Sequence, residues 1–173
     1  YKDMVEYMDH VIGRIVRKID KLGIRKNTLI LYYSDNGTPR EVESRMGDRV
    51  IHGGKGHTTD AGTHVPMIVN LPKKWAHLAP GEPGTASDRP VSFIDLPPTA
   101  LSLAGVEVPK TMHGRAFMGA GKREPESHVF LFGQRFDARM LRFVRGITDG
   151  RYRYIRNFHP NRHRGILAGY AHG

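Results

Sequence analysis

The stretch Leu29-Ile30-Leu31-Tyr32-Tyr33-Ser34-Asp35-Asn36-Gly37 decides the fold class of this chain. Its apolar run ends abruptly in two adjacent oxygen-bearing side chains and a glycine. The near-continuous apolar character of residues 28–33 predicts a strand that is buried on both faces, as in a parallel sheet. In open α/β sheets, residues at the carboxyl end of a strand face the crevice where ligands bind. We therefore expect Asp35 and Asn36 to lie at a binding site.

Asp35 and Asn36 carry the donor atoms that a hard metal ion requires. A carboxylate and an amide carbonyl are oxygen ligands suited to Ca²⁺ or Mg²⁺. Gly37 allows the backbone to turn sharply, so that both donors can face one ion. The sequence thus predicts Asp35 and Asn36 as metal ligands. Because Ser-Asp-Asn-Gly is also made of common turn formers, an ordinary turn is the alternative interpretation.

Lys55 lies in a second glycine-rich segment, Gly53-Gly54-Lys55-Gly56. Glycines let a backbone approach a ligand closely, and an ammonium group is a compact charge for an oxyanion. We interpret Lys55 as a candidate catalytic and substrate-binding residue, with a solvated loop lysine as the alternative. His57 is a candidate catalytic group that donates a proton to a leaving oxygen. His64 is a candidate substrate contact or, alternatively, an anchor of the loop.

The order of helical and strand patterns is that of an α/β fold. Apolar residues recur at helical spacing over residues 3–22, which predicts an amphipathic helix with a buried face that ends at Gly23. A second apolar strand is predicted over residues 65–70. A helix is predicted over residues 96–104, with Asp95 as its N-cap and prolines in its first turn.

Two segments depart from this pattern. Residues 37–63 are polar and glycine-rich without sustained periodicity, which predicts a long loop of functional or mobile character. In the last third, apolar or aromatic residues alternate with arginine over Val129–Phe132, Met140–Ile147 and Arg151–Asn157. Asp149-Gly150 is a hairpin signal. We therefore expect a small antiparallel sheet in this region.

The composition is that of one basic domain. The 173 residues suffice for a sizeable core, and the 27 Lys and Arg exceed the 17 Asp and Glu. The net charge is +1 over residues 1–109 and +9 over residues 110–173, which favours polyanionic partners. No apolar run approaches the ~18 residues of a membrane helix. The absence of Cys excludes disulfides and thiolate metal sites within the chain.

Several short motifs follow one another in a specific order along the chain. They are Tyr7-Met8-Asp9, Asn27-Thr28-Leu29-Ile30, Ser34-Asp35-Asn36-Gly37, Gly53-Gly54-Lys55-Gly56, Val65-Pro66-Met67-Ile68-Val69, Ser92-Phe93-Ile94-Asp95-Leu96-Pro97-Pro98-Thr99, His113-Gly114-Arg115 and Asp149-Gly150-Arg151-Tyr152-Arg153-Tyr154-Ile155. Together they resemble the sulfatase family of the alkaline phosphatase superfamily, over roughly residues 1–158.

The resemblance implies an α/β fold, in which part of an alkaline-phosphatase-like parallel-sheet domain is followed by a small C-terminal antiparallel α+β subdomain. We expect residues 1–109 to be the C-terminal part of the α/β catalytic domain. Residues 110–158 would form the antiparallel subdomain, and residues 159–173 a basic tail.

The resemblance also assigns roles to individual residues. In sulfatases the Asp-Asn pair after this strand completes a divalent cation site, usually calcium, and its matches are Asp35 and Asn36. The lysine of the following glycine loop contacts the sulfate, and its match is Lys55. Where the family often has Glu-Gly-Gly-x-Arg after that lysine, this chain has Asp60-Ala61-Gly62-Thr63-His64.

Other parts of the family's active site are missing from this chain. The family carries an upstream pair of Asp ligands and a Cys- or Ser-x-Pro-x-Arg segment whose first residue becomes formylglycine, and this sequence contains neither. The chain therefore resembles the C-terminal portion of a sulfatase. We expect the formylglycine upstream, in the N-terminal part of the same enzyme. We also expect residues 1–173 alone to be inactive and, with an exposed sheet edge, poorly soluble.

The implied function is hydrolysis of sulfate esters, with a sulfated carbohydrate favoured as substrate by the basic last third. A phosphodiesterase or phosphonate hydrolase of the same superfamily is one alternative, because it would use the same half-site. A non-catalytic polyanion-binding protein or nucleic-acid-binding module is another, since arginine and aromatic residues interleave near the C-terminus. The metal-type Asp-Asn pair argues against nucleic acid as the partner. A periplasmic or secreted location is plausible from the family.

Overall fold

The computed structural model of the protein describes residues 2–133, 136–137, 140–141 and 144–158. The predicted basic tail, residues 159–173, lies outside the described residues. The helices are α1 (Lys2–Lys21), α2 (Asp60–Thr63) and α3 (Leu96–Leu103), with 3-10 turns at Arg25–Asn27, Lys73–Leu78 and Phe93–Asp95. The strands are β1 (Ile30–Tyr33), β2 (Glu43–Met46), β3 (Arg49–His52), β4 (Met67–Asn70), β5 (Val129–Gly133), β6 (Phe136–Asp137), β7 (Met140–Leu141), β8 (Val144–Thr148) and β9 (Arg153–Asn157).

The first helix forms where its spacing predicts it, and Gly23 follows it in the left-handed region at φ 68°. The prediction of a buried face is wrong, because α1 contains no buried residue. Val11 and Ile12 are half-buried, whereas Met4 is 71% exposed. The described residues thus cover only part of the apolar stripe. No helix among them has the length and apolar character needed to cross a membrane.

The strand that decides the fold pairs with β4 in an antiparallel register, with Ile30 opposite Asn70 and Tyr33 opposite Met67. The expectation of a strand buried on both faces, as in a parallel sheet, is therefore wrong for this pair. Every residue of β1 is half-buried or exposed, and Tyr33 is 42% exposed. The reason is that β1 and β4 form a two-stranded sheet in the described structure, so few side chains cover its faces.

Residues 37–63 are more regular than the sequence suggested. Strands β2 and β3 form an antiparallel hairpin joined by Gly47-Asp48, with Gly47 at φ 60°. All eight strand residues are exposed, so neither face imposes an alternation of apolar and polar residues. The prediction of one long loop failed here because the periodicity that marks a half-buried strand was absent.

The best-buried part of the chain lies where α3 meets the segment that follows it. Ala116, Phe117 and Met118 are 1–2% exposed. Thr99 of α3 donates to the carbonyl oxygen of Asp95 at 2.6 Å and accepts from the Phe117 amide at 3.1 Å. These bonds satisfy polar groups that are removed from water, so the segment is held against the helix.

Asp95 precedes α3 as predicted, and Gly105 follows the helix at φ 71°. The side chain of Asp95, however, does not cap α3. Its carboxylate accepts hydrogen bonds from the amides of Ser92 at 2.8 Å and Arg115 at 2.7 Å. Asp95 therefore joins the start of α3 to the chain segment near Arg115.

The predicted antiparallel sheet is present in the last third, with strand order β5-β8-β9. Asp149 and Gly150 lie in the connection between β8 and β9, and Gly150 adopts φ 90°. Leu131 is 8% exposed on one face of the sheet, whereas Phe130 and Phe132 are 57% and 66% exposed on the other. Strands β6 and β7 form a separate antiparallel pair.

Candidate cation and oxyanion site

Two loops at the ends of β1 and β3 line one open cavity of about 260 Å³. The first loop follows β1 and carries Asp35 and Asn36, and the second follows β3 and carries Lys55. The cavity is lined by Ser34, Asp35, Asn36, Gly37, Thr38, Pro39 and Lys55. The structure therefore brings the predicted metal ligands and the predicted anion-binding lysine to the same cavity, as the sequence led us to expect.

The loop after β1 is held by its own backbone and by α2. The hydroxyl of Ser34 donates to the carbonyl oxygen of Asn36 at 2.8 Å. The amide of Gly37 donates to the carbonyl oxygen of Gly62 at 3.0 Å. A Cβ atom on Gly37 would overlap the carbonyl oxygen of Ala61, so this position requires glycine. The turn that presents Asp35 is thus packed directly against α2.

The loop after β3 is joined to the first loop through the main chain. The amide of Lys55 donates to the carbonyl oxygen of Thr38 at 3.0 Å. Gly54 is buried, and a Cβ atom there would lie 2.8 Å from the Cβ atom of Ala61. Lys55 itself is exposed. Its ammonium group therefore remains available to a charged ligand in the cavity.

The donor atoms around the cavity fit a hard divalent cation in part. The Asp35 carboxylate and the Asn36 amide carry oxygen donors of the kind that Ca²⁺ binds, and Ca²⁺ takes six to eight of them. Among the residues that the structure describes, no group of three or more His, Cys, Asp or Glu side chains is placed to hold a metal ion. The side chains of Asp35 and Asn36 would supply only part of such a coordination sphere, and the remaining ligands would come from other groups.

The two histidines lie outside the cavity wall formed by the described residues. Nη2 of Arg40 lies 3.4 Å from Nδ1 of His57 and also contacts its Nε2. His64 is exposed at the end of α2, where its amide donates to the carbonyl oxygen of Asp60 at 2.9 Å. Their predicted roles in catalysis and substrate binding stay predictions.

One further contact near the site was not predicted from the sequence. Arg153 of β9 reaches the turn around α2, where its guanidinium contacts the Thr58 carbonyl oxygen, the Thr63 hydroxyl and the Asp60 carboxylate. The partners are separated from Arg153 by 90 to 95 positions. Side chains alternate between the two faces of a strand, so the sequence could show only that Arg153 lies on the same face of β9 as Ile155. It could not show which distant residues Arg153 contacts.

Other arginines of the C-terminal sheet stack on neighbouring rings. The guanidinium of Arg151 lies 5.1 Å from the ring of Tyr152, and that of Arg156 lies 4.7 Å from the ring of Phe158. Such cation–π contacts stabilise exposed aromatic side chains. These contacts are consistent with a half-buried sheet that has a basic outer face.

Comparisons with known proteins identify the family of this chain. The family model described as Sulfatase matches residues 1–106, and the model described as N-sulphoglucosamine sulphohydrolase, C-terminal, matches residues 54–166. An ulvan-active sulfatase from Formosa agariphila is 32% identical over 153 residues, which are 88% of this chain and 23% of that protein. Mouse steryl-sulfatase is 34% identical over 142 residues, 76% of this chain and 22% of that protein.

Human arylsulfatase A is 29% identical over 159 residues, which are 88% of this chain and 29% of that protein. The chain thus spans less than a third of the length of each of these three relatives. The family implies the alkaline-phosphatase-like α/β fold, with which the helices and small sheets described above are compatible. The chain belongs to the sulfatase family and corresponds to a C-terminal portion of a sulfatase.

Proposed function

We propose that this chain supplies one wall of the active site of a complete sulfatase, which hydrolyses sulfate esters. The observation that supports this function best is the shared cavity of Asp35, Asn36 and Lys55. A cation and an oxyanion that occupied the same cavity would interact directly. Each would then reduce the electrostatic cost of binding the other.

The Asp35 carboxylate and the Asn36 amide oxygen would bind a divalent cation, for which we propose Ca²⁺. Such a cation would polarise the sulfate oxygens, and the family's formylglycine, expected upstream, would supply the nucleophile. The role of this chain's own residues is to hold the cation in place. The rigid turn at Gly37 serves that role, because it orients both oxygen donors before the ligand arrives.

The Lys55 ammonium would lie against the sulfate group and stabilise the negative charge that develops on its oxygens. Its exposed position and its backbone bond to Thr38 support this role. We keep His57 as the proposed donor of a proton to the leaving alcohol. His64 is kept as the proposed substrate contact, since it lies at the end of the α2 turn that adjoins the cavity loops.

For the whole protein we propose a sulfated carbohydrate as substrate. One relative is described as an ulvan-active sulfatase, and the net charge of +9 over residues 110–173 would attract a polyanion. We further propose that residues 1–109 belong to the α/β catalytic domain and residues 110–158 to a small antiparallel subdomain. The antiparallel sheet of β5, β8 and β9 supports the second part of this division.

The experiment that tests this function uses the complete enzyme that contains this chain. Its turnover would be measured on an aryl sulfate, on a sulfated polysaccharide and on an aryl phosphodiester, with and without a chelator. We expect hydrolysis of the sulfates, loss of turnover on chelation and recovery with Ca²⁺. Preferential hydrolysis of the phosphodiester would establish the alternative activity, and turnover unaffected by chelation would contradict the assigned cation.

A further inference from the structure

We infer that Arg153 is a positioning residue for the cavity, because it fixes the turn on which both cavity loops rest. This inference deepens the proposed function and rests on it. The turn in question comprises residues 58–63, which include α2, and is called the 58–63 turn below. Arg153 acts through this turn and touches neither Lys55 nor Asp35 in the described contacts.

The guanidinium of Arg153 is largely removed from solvent, with a side chain that is 19% exposed. Nη1 contacts the carbonyl oxygen of Thr58 and donates to the hydroxyl oxygen of Thr63 at 3.2 Å. Nη2 forms an ion pair with the carboxylate of Asp60. The planar guanidinium thus binds three separate points of the 58–63 turn, which a lysine ammonium of different shape does not match.

Burial makes these contacts costly to remove. Thr58 is 5% exposed with Arg153 in place, and its carbonyl oxygen takes the guanidinium as a hydrogen-bond partner. A buried acceptor that loses its partner bears the full cost of its desolvation. The ion pair with Asp60 adds less, because the Asp60 side chain is 75% exposed and water screens the pair. Removing Arg153 would therefore loosen this turn more than removing an exposed arginine.

The 58–63 turn also supports both loops of the cavity. The carbonyl oxygen of Gly62 accepts from the amide of Gly37, which follows the predicted metal ligands. A Cβ atom on Gly62 would overlap the carbonyl oxygens of His57 and Gly54, which lie on either side of Lys55 in the sequence. Because these backbones are packed without space for a methyl group, a displaced 58–63 turn would displace both loops.

Arg153 therefore links the C-terminal sheet to the cavity. On β9 it lies opposite Thr148 in the register of the sheet, while its side chain ends on a turn some 90 positions earlier in the chain. Without this link, Lys55 and Asp35 would be held less firmly relative to each other. Misplacement of a positioned group by about 1 Å can cost on the order of 10²-fold in rate.

The test compares Arg153→Met with Arg156→Met in the complete enzyme. Arg156 lies on the same strand, but it is exposed and stacks on Phe158. Amide hydrogen exchange would be followed at Gly37, Lys55 and Gly62 without substrate. We expect Arg153→Met to accelerate exchange at all three amides by about tenfold or more, since charge-assisted hydrogen bonds are lost. Arg156→Met should leave them unchanged.

Steady-state kinetics on an aryl sulfate provide a readout that a merely structural role would not change. We expect Arg153→Met to lower kcat by about tenfold to a hundredfold with KM changed less than about twofold, because orientation and not binding is lost. Arg153→Lys should recover part of this loss. If Arg153→Met does not fold, Asp60→Asn and Thr63→Val remove single partners and should each produce the same exchange pattern in weaker form.

Faster exchange confined to residues 58–63, or equal effects of the two arginine variants, would overturn the inference. The inference would also be overturned if Arg153→Met reduced the amount of folded protein enough to account fully for the lost turnover. If exchange changes as expected in an enzyme that hydrolyses no sulfate ester, the positioning role stands and the proposed function fails. If wild-type turnover is normal and exchange at Lys55 is unaffected by Arg153→Met, the inference alone fails.

Discussion

The amide nitrogen of Lys55 donates a hydrogen bond to the carbonyl oxygen of Thr38 across 3.0 Å. This bond joins the glycine loop to the loop that carries Asp35 and Asn36. The bond therefore limits how far these two loops can separate. A cavity with this organisation requires little rearrangement when a ligand binds, which lowers the entropic cost of binding.

Replacement of Lys55 tests the oxyanion contact. In the complete enzyme we expect Lys55→Ala to lower kcat/KM for a sulfate ester by about 10²–10³-fold, the usual cost of losing one group that stabilises developing charge. Steady-state kinetics would measure this. Lys26→Ala is the control, because Lys26 is also exposed but lies in a 3-10 turn away from the cavity. Equal activity of wild type and Lys55→Ala would contradict the role of this lysine.

Replacement of Asp35 tests the cation site. We expect Asp35→Asn to weaken Ca²⁺ binding to the complete enzyme by at least about tenfold, because ligand charge sets the affinity of oxygen-coordinated sites. Isothermal titration calorimetry after removal of metal by a chelator would measure the change. Asp48→Asn, in the exposed turn between β2 and β3, should bind Ca²⁺ like wild type. Unchanged affinity in Asp35→Asn would mean that the cation lies elsewhere.

The close approach of the first cavity loop to α2 predicts that Gly37 cannot be replaced. A Cβ atom at Gly37 would overlap the carbonyl oxygen of Ala61. We expect Gly37→Ala to lower the free energy of unfolding by about 1–3 kcal/mol, the usual cost of overpacking. Thermal unfolding would show this as a lower Tm. At Gly81 a Cβ atom would meet the Thr85 hydroxyl oxygen at an ordinary 3.6 Å, so Gly81→Ala should unfold near wild type.

The turn between β8 and β9 predicts a local pH dependence. The pKa of the Asp149 carboxyl is lowered from its ordinary value because the amides of Tyr152 and Arg151 donate hydrogen bonds to it, at 2.6 and 2.9 Å. Since the folded state then binds fewer protons than the unfolded state, this stabilisation is present above the ordinary pKa. It is lost as the pH falls through the lowered value.

Asp149→Asn isolates this effect. We expect the Asp149 carboxyl to titrate below the range of an unstructured aspartate when it is followed by NMR. The difference in amide protection of β8 and β9 between wild type and Asp149→Asn should shrink as the pH is lowered from about 5 towards 3, around the ordinary aspartate pKa. A difference that stays constant over this interval would show that the charge of Asp149 does not stabilise the turn.

Local patterns in the sequence predicted most of the helices and strands. The spacing of apolar residues gave α1, and the apolar runs gave β1 and β4 to within two residues of their observed starts. Asp149-Gly150 correctly indicated the connection between β8 and β9. The burial of α1 and β1 was overestimated. An apolar side chain indicates that a residue can be buried, but it does not indicate which other residues cover it. The hairpin of β2 and β3 was missed because both of its faces are exposed.

The candidate site was predictable where its residues follow strands. Asp35 and Asn36 come directly after β1, so the chain direction alone places them at the end of the sheet. The proximity of Lys55 followed from the resemblance to a family and is now visible in the cavity. The contact of Arg153 with Asp60 joins positions 93 residues apart. No local rule relates such positions, because their proximity depends on how the C-terminal sheet is placed.

The most direct measurement is a crystal structure of the complete enzyme with Ca²⁺ and a sulfate ester bound. We predict one Ca²⁺ ion coordinated by the carboxylate of Asp35 and the amide oxygen of Asn36. We also predict a sulfate oxygen on that ion and the Lys55 ammonium within hydrogen-bonding distance of the same sulfate group. A cation bound away from Asp35, or a Lys55 side chain directed into solvent while the sulfate is bound, would contradict the central claim.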